Sequence, residues 1–389
     1  MTTVTSPAAR PASRLRSLDG LRGAAALLVL VHHCALLFPA LAEVYFVTAA
    51  PPPLTGWQHA LSYTPLHLFW AGTESVYLFF VLSGLVLVLP VLARTDFDWL
   101  AYYPRRVVRL YGPVVAAVGL GLLAYAVAPR VNRSVLGTWV NGRPNSYPLR
   151  AVLTDLTLLG GSSGRISPLW SLQWEVLFSL LLPLFVVLVA VGRRHPGVVL
   201  AGLLGLVTLG AVVGNGPLNY LPMFGLGALM AAHWASLGLV LARWSARWRP
   251  FWGATLVLAV VLTCARWELT GLGVTPQTAA RCDVLPVVGV CLFVLAAGFC
   301  PGVVRLLHGP VLQWLGRISF SLYLVHEPIV LSCRFLTRSA SPWLAVALAV
   351  PVALLVAVLF ERLVEARFHR LAQRVGRRVQ QRDRVGQPV

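Results

Sequence analysis

The chain has 389 residues, of which 58% are hydrophobic and only 12% charged, and its mean hydropathy is +0.76. Soluble domains carry about 25% charged residues, so this composition excludes a water-soluble globular enzyme. The formal charge of +19 reflects 32 arginines against 13 acidic residues, but the arginines gather at the ends of apolar runs, as they do beside membrane helices. The composition therefore predicts an all-α polytopic protein in a lipid bilayer, with no nucleic acid as a partner.

A hydropathy window of about 19 residues predicts ten transmembrane helices. In chain order they cover 22–46, 67–92, 110–128, 169–191, 197–214, 218–241, 251–267, 284–300, 312–335 and 343–361. Alternating the connections between the two sides puts 23 arginines on one side and nine on the other. Positive charge favours the cytoplasmic side, so we expect both termini in the cytoplasm and a multi-pass protein of the inner or plasma membrane.

These spans divide the chain into a cytoplasmic segment 1–17, a transmembrane domain 18–362 and a basic cytoplasmic tail 363–389 on the anionic leaflet. The outward segment at about 129–168 is long and polar, and it is either a functional lid or a plain connector. Six cysteines without a CxxC or CxxH pattern predict neither a disulfide framework nor a metal site.

Ionisable residues inside a membrane are costly and point to function. Arg22 and His33 lie eleven residues apart in SLDGLRGAAALLVLVHHC. That offset is almost three helical turns, so both side chains lie on one helix face, with His33 roughly 16 Å deeper. His33 is either a functional imidazole or a histidine hydrogen-bonded between helices.

A carboxylate and two hydroxyls share one face of the apolar segment SPLWSLQWEVLFSLL, because Ser171, Glu175 and Ser179 recur every four residues. Glu175 can orient an acceptor hydroxyl, pair with His33 to set its tautomer, or remain a solvated interfacial residue. Trp170 can stack on a sugar ring or belong to an interfacial aromatic belt.

Arg105, Arg106 and Arg109 cluster in YYPRRVVRLYGP at the inner end of the third predicted span. Arg106 and Arg109 are helical neighbours that can share one anion, and the guanidinium fork suits phosphate. The cluster is also compatible with a simple topological anchor. Further along, Tyr323 and His326 interrupt the apolar run of GRISFSLYLVHEP and are candidates for polar contacts in a cavity or for helix packing.

Five short segments, in this order, resemble the integral-membrane acyltransferase family three: SLDGLRGAAALLVLVHH, FFVLSG, RRVVRLY, WSLQWEVLF and ISFSLYLVHEP. Arg22 and His33 match the family's Arg–His motif, Arg106 and Arg109 its RxxR, and Glu175 the first Glu of its WSLxxE segment.

The chain departs from the family pattern at three places. Val176 stands at the common second Glu, and Ser179 at the following Tyr. Glu365 lacks the proline of the usual Glu-x-Pro, so it is left out of the catalytic set.

The resemblance implies transfer of an acyl group, most often acetyl, from cytoplasmic acyl-CoA to a hydroxyl of a glycan, glycolipid or small natural product. Arg22, Arg105, Arg106 and Arg109 would hold the CoA phosphates. His33 would act as general base or transient acyl carrier, and Glu175 would orient it or the sugar, with Ser171, Trp170, Tyr323 and His326 in support.

Two other functions are compatible with the sequence. A proton-coupled carrier for a sugar or an anion would use His33, Glu175 and His326 as a relay, although the chain shows no internal repeat of the transporter type. A scaffold with a decayed site is the other alternative.

Overall fold

The computed structural model describes residues 11–46, 54–338 and 341–385, and these residues form helices and connecting loops with no strand among them. The α-helices are α1 (Pro11–Ala35), α2 (Pro39–Phe46), α3 (Gly56–Tyr63), α4 (Gly72–Leu92), α5 (Trp99–Val127), α6 (Gly137–Asn141), α7 (Leu149–Thr157), α8 (Leu169–Val191), α9 (Pro196–Val213), α10 (Gly216–Ala232), α11 (Trp234–Arg247), α12 (Phe251–Gly271), α13 (Pro276–Ala280), α14 (Val284–Phe299), α15 (Pro301–Leu307), α16 (Pro310–Thr337), α17 (Trp343–Phe360) and α18 (Ala366–Val385). Short 3₁₀ segments lie at Pro65–Trp70, Ser134–Leu136 and Gly192–Arg194, and a π-helical turn at Glu361–Glu365 joins α17 to α18.

Seven stretches of the described chain are long and apolar enough to cross a membrane, and two bent helix pairs raise the number to nine. The pairs are α10 with α11, bent by 76°, and α14 with α15, bent by 85°. The all-helical membrane architecture predicted from the sequence is thus confirmed. The count of ten and the cytoplasmic position of the termini stay predictions, and residues 1–10 lie outside the described ranges.

Helix α16 accounts for the difference between nine and ten. It has 28 residues, which is ample length for a span. Its polar residues lower its hydropathy, yet His326, Glu327 and Arg334 are all fully buried. A helix that is polar along its length but hidden from lipid is expected at the centre of a bundle rather than at its rim.

The first helix ends earlier than predicted. It was predicted to run to residue 46, but α1 ends at Ala35 and a turn leads into the separate helix α2. The correction matters because the turn lets α2 pack beside the end of α1, where Tyr45 contacts the His32 ring.

Glycines bring the central helices into backbone contact. A Cβ added at Gly23 of α1 would lie 2.4 Å from the Gly316 nitrogen of α16, and one added at Gly227 of α10 would lie 1.9 Å from the Val81 oxygen of α4. Small residues at such crossings are the usual basis of helix packing in membranes. Helices α1 and α16 therefore form one fixed pair, and α4 and α10 another, with cavities between them.

The segment 363–389, predicted as a basic cytoplasmic tail on the anionic leaflet, is helical up to Val385, and its position relative to the membrane stays a prediction. It continues α17 through the π-helical turn into α18. The Phe368 ring of α18 packs against Gly112 of α5, in the space that a larger side chain would need. The first turns of α18 therefore belong to the bundle, and this helix brings His369 to the site described below.

Candidate active site

Four cavities follow one another through the bundle. The first, which we name the mouth, has a volume of about 260 Å³ and is lined by Arg105, Arg106, Arg109 and His369 among others. The second, the arginine chamber, has about 220 Å³ and is lined by Arg22, Arg106, Arg109, Glu175 and Glu365 among others. The two share Arg106, Arg109 and His369, so the predicted arginine set surrounds one continuous space.

Arg106 is held by α8. Its Nη2 donates to Glu175 Oε1 at 2.6 Å, and its Nε donates to the Ser179 hydroxyl at 2.9 Å. Ser179 in turn donates to the Glu175 carbonyl at 2.7 Å. The spacing of four residues on α8 therefore builds a cradle for one guanidinium, which fixes its position in the wall of the arginine chamber.

Arg22 and Arg109 also line the arginine chamber, but neither makes a hydrogen bond or ion pair to a described residue. Each guanidinium carries five N–H donors in a planar fork. Two such forks facing one cavity form a binding site for an anion with several oxygen atoms.

A narrow cavity of about 50 Å³, which we name the neck, continues from the arginine chamber. It shares Arg22, Ser83 and Glu175 with that chamber. At its far end the Ser171 and Tyr323 hydroxyls lie 2.6 Å apart in a hydrogen bond between α8 and α16. These two predicted residues are therefore joined in the wall between the neck and the neighbouring cavity.

The fourth cavity, the histidine chamber, has a volume of about 210 Å³ and lies beyond Tyr323, which lines both it and the neck. His33 and the predicted Trp170 line it together with residues that the sequence analysis did not single out, including Tyr45, Trp139 and Arg143. Arg22 and His33 thus lie in two different chambers along the same helix.

His326 fixes the His33 ring. The His33 Nδ1 lies 2.9 Å from the Val29 carbonyl and 3.1 Å from His326 Nε2, and His326 Nδ1 lies 2.9 Å from the Leu322 carbonyl. In neutral rings, His326 Nδ1–H donates to Leu322, so its bare Nε2 accepts from His33 Nδ1–H. The proton of His33 is then on Nδ1, and its Nε2 carries a lone pair that no described residue uses.

Of the roles left open for Glu175, the pairing with His33 is not found in the structure. Glu175 binds Arg106 in the arginine chamber, and His326 sets the His33 tautomer instead. The physical reason is the side chain's place on α8, because Ser171 already reaches the neck and Glu175 lies one turn further from the histidine chamber.

The segment 129–168 folds onto the histidine chamber around one carboxylate. Asp155 is fully buried and accepts hydrogen bonds from the Tyr147 hydroxyl and from the Ser163 backbone and hydroxyl, each at 2.6 Å. Burial, with the hydrogen bond to Asp155, raises the pKa of Tyr147, so this hydroxyl stays protonated as a donor. The segment is therefore an ordered wall of the chamber.

Sequence reasoning missed several residues of the site. Glu365 and His369 line the arginine chamber, and Trp139 and Arg143 line the histidine chamber. Glu365 had a detectable signal, its place at the Glu of the family's Glu-x-Pro pattern, but the absent proline argued against it. No comparable local signal marks Trp139 or Arg143.

Comparison with known families gives one match. The family profile described as an acyltransferase domain, acyltransferase family 3, matches residues 15–362, which is most of the chain. The chain belongs to acyltransferase family 3. No curated protein and no solved structure gives a significant match. As a multi-pass membrane acyltransferase, it carries its two chambers within the matched region, except for Glu365 of the π-helical turn and the residues that α18 adds.

Proposed function

We propose that this membrane acyltransferase moves an acyl group, acetyl in the simplest case, from acyl-CoA to a hydroxyl of a carbohydrate, glycolipid or other hydroxylated metabolite. The observation that carries the proposal is the arrangement of two chambers on either side of Tyr323. One presents the unpaired guanidinium groups of Arg22 and Arg109, and the other presents the free Nε2 of His33.

The donor's shape matches this arrangement. Acyl-CoA has several phosphates at one end and a neutral thioester at the end of a long arm. Arg22 and Arg109, with Arg105 at the mouth, would bind the phosphates bidentately, while Arg106 shapes the wall. Arg22 and His33 are eleven residues apart on α1, roughly 16 Å along the helix axis, which is the path the arm would follow.

His33 would act as general base. Its Nε2 takes the proton of the acceptor hydroxyl as the oxygen attacks the thioester carbonyl, giving a tetrahedral oxyanion and an imidazolium. The carbon–sulfur bond then breaks, and the leaving thiolate takes the proton back from Nε2. His326 holds Nδ1–H throughout.

The same lone pair can also attack the thioester directly and carry the acyl group as an acyl-imidazole before the hydroxyl takes it. Both routes need Nε2 bare and Nδ1 protonated, so both depend on the contact with His326. Rapid quenching after mixing with [¹⁴C]acetyl-CoA separates them, because only the second route leaves label on the protein.

The test is release of free CoA thiol by the purified protein, given acetyl-CoA and a panel of hydroxylated acceptors. We expect acceptor-stimulated release in the wild type and a loss of roughly 10²–10⁴-fold in His33→Gln, the usual worth of acid–base catalysis. His195→Gln, which changes an exposed histidine, is the matched control and should keep full activity.

Equal release from the wild type and from folded His33→Gln would remove His33 from the mechanism. Release by neither, together with solute uptake by proteoliposomes that depends on a proton gradient, would favour a carrier instead.

A further inference from the structure

Arg143 occupies an unusual position in the histidine chamber. It comes from the loop after α6, and its side chain is 17% exposed. Its Nη1 lies 3.7 Å from Oε1 of the fully buried Glu327, and its guanidinium carbon lies 4.8 Å from the centre of the Trp139 ring. Within the described part of the chain its guanidinium donates no hydrogen bond.

Glu327 balances the positive charge of Arg143 and positions it, but it accepts no hydrogen bond from the guanidinium. The other Glu327 oxygen accepts from the Ser167 backbone N–H at 3.1 Å, which holds the carboxylate from one side. Its contact with Arg143 is too long for a hydrogen bond. A partly buried guanidinium with all five donors unused is unfavourable by itself, and the donors fit the two oxygens of a carboxylate or phosphate.

The surrounding segment favours the same kind of ligand. Residues 129–168 contain five arginines and a single acidic residue, Asp155. On the proposed topology this segment faces outward, where positive charge is normally avoided. The excess of arginine in this segment creates a positive electrostatic potential that attracts anions toward the histidine chamber.

We propose that Arg143 is a specificity-determining residue that binds a carboxylate or phosphate of the acceptor, while the acceptor's sugar ring lies against Trp139 and Trp170. The acceptor class is thus an acidic or phosphate-bearing sugar. This inference rests on the proposed transfer to a hydroxyl in the histidine chamber, and it adds the charge of the molecule that carries that hydroxyl.

Two probes of nearly equal size test the carboxylate directly, 4-nitrophenyl β-D-glucuronide and the neutral 4-nitrophenyl β-D-glucoside. Glucose 1-phosphate tests the phosphate. Each is assayed for acceptor-stimulated thiol release and, independently of turnover, for the shift that it causes in the melting temperature of the purified protein. The variants are Arg143→Gln, Arg143→Lys and the matched control Arg150→Gln, which changes an exposed arginine of the same segment.

We expect the wild type and Arg150→Gln to prefer an anionic probe by about tenfold, the worth of one charge-assisted hydrogen-bonded pair. Arg143→Gln should lose that preference with the KM for acetyl-CoA unchanged, and Arg143→Lys should keep part of it. The anionic probe with the larger effect on thiol release and on the melting temperature shows whether Arg143 binds a carboxylate or a phosphate.

Three results would overturn the inference: a neutral probe preferred by the wild type, an equal loss for neutral and anionic probes in Arg143→Gln, or no thermal shift by either anion. The second would mean that Arg143 acts on the reacting carbonyl instead. If thiol release is absent from the wild type but anions still raise the melting temperature through Arg143, the transfer proposal fails and the anion site stands.

Discussion

The two chambers differ in where their walls come from. The arginine chamber is lined by long helices that contact each other along their length, and its key groups sit at fixed spacings on α1, α5 and α8. The histidine chamber takes one side from the segment 129–168, whose Trp139 and Arg143 reach it only because the segment folds back around Asp155. The spacing of residues along a helix predicts which residues line the arginine chamber. It does not predict which residues of the segment 129–168 line the histidine chamber.

The difference extends to how charge is balanced. In the arginine chamber Arg106 is fully engaged with Glu175 and Ser179, while Arg22 and Arg109 stay unpaired. In the histidine chamber a single arginine faces a single carboxylate, Glu327. One chamber is thus built to receive several negative charges, and the other at most one, which agrees with a polyphosphate donor and a smaller acceptor.

The largest effect that separates the chambers is expected at His326. Replacing it with Phe removes one of the two acceptors of His33 Nδ1–H and leaves only the Val29 carbonyl, so the imidazole ring is held less firmly in its orientation and tautomer. We expect kcat to fall by about 10²-fold with little change in either KM. His326→Gln, whose amide oxygen can accept the same hydrogen bond, should restore part of the rate. If Phe and Gln act alike, His326 has only a packing role.

A smaller effect is expected at Arg109. Arg109→Gln should raise the KM for acetyl-CoA by about tenfold to a hundredfold, because charged hydrogen bonds are worth about 1.5–3 kcal/mol. With S-acetyl-N-acetylcysteamine, a thioester that lacks phosphates, the variant should match the wild type. Arg94→Gln, at an exposed arginine, is the control. An equal loss with both donors would show that Arg109 supports the fold rather than the phosphates.

The smallest of the three effects is expected at Asp155. Asp155→Ala leaves the Tyr147 hydroxyl and two Ser163 donors without their acceptor, and we expect a loss of roughly 1–3 kcal/mol in the stability of the segment. The acceptor KM should rise severalfold while the KM for acyl-CoA is unchanged. Proteolytic cutting within 129–168 measures the loosening, and a rise in the donor KM instead would contradict the division into two chambers.

Much of the fold was predictable, because long apolar runs have few alternatives in a bilayer. Helix α8, which carries Glu175, matches its predicted span 169–191, whereas α1 and α5 each begin eleven residues before the predicted spans 22–46 and 110–128. Sequence alone could not show that α1 ends at Ala35, since Leu36–Phe38 are as apolar as the helix before them. Nor could it show that α18 would pack against α5, because its arginines suggest a solvated surface.

Pairings across the bundle were the least predictable part of the site. His33 had two candidate partners, Glu175 and His326, each on a distant segment of the chain. Which one reaches it depends on the rotation and depth of α8 and α16, and a shift of one helical turn would exchange the two. The spacing of polar residues predicts which face of one helix they share, but not how that helix is rotated or shifted along its axis relative to another helix.

The hydrogen bond between Ser171 and Tyr323 has a consequence for the cell as well as for the reaction. A polar passage through a membrane protein can let ions cross and so dissipate the membrane potential. Moving one elementary charge across the bilayer is worth about 2.3 kcal/mol per 100 mV. On the proposed reaction the CoA phosphates stay with the arginines, and only the neutral arm with its acyl group passes Ser171 and Tyr323 to reach His33. On the proposed reaction, delivery of that group would be electrically silent, and its rate would be independent of membrane voltage.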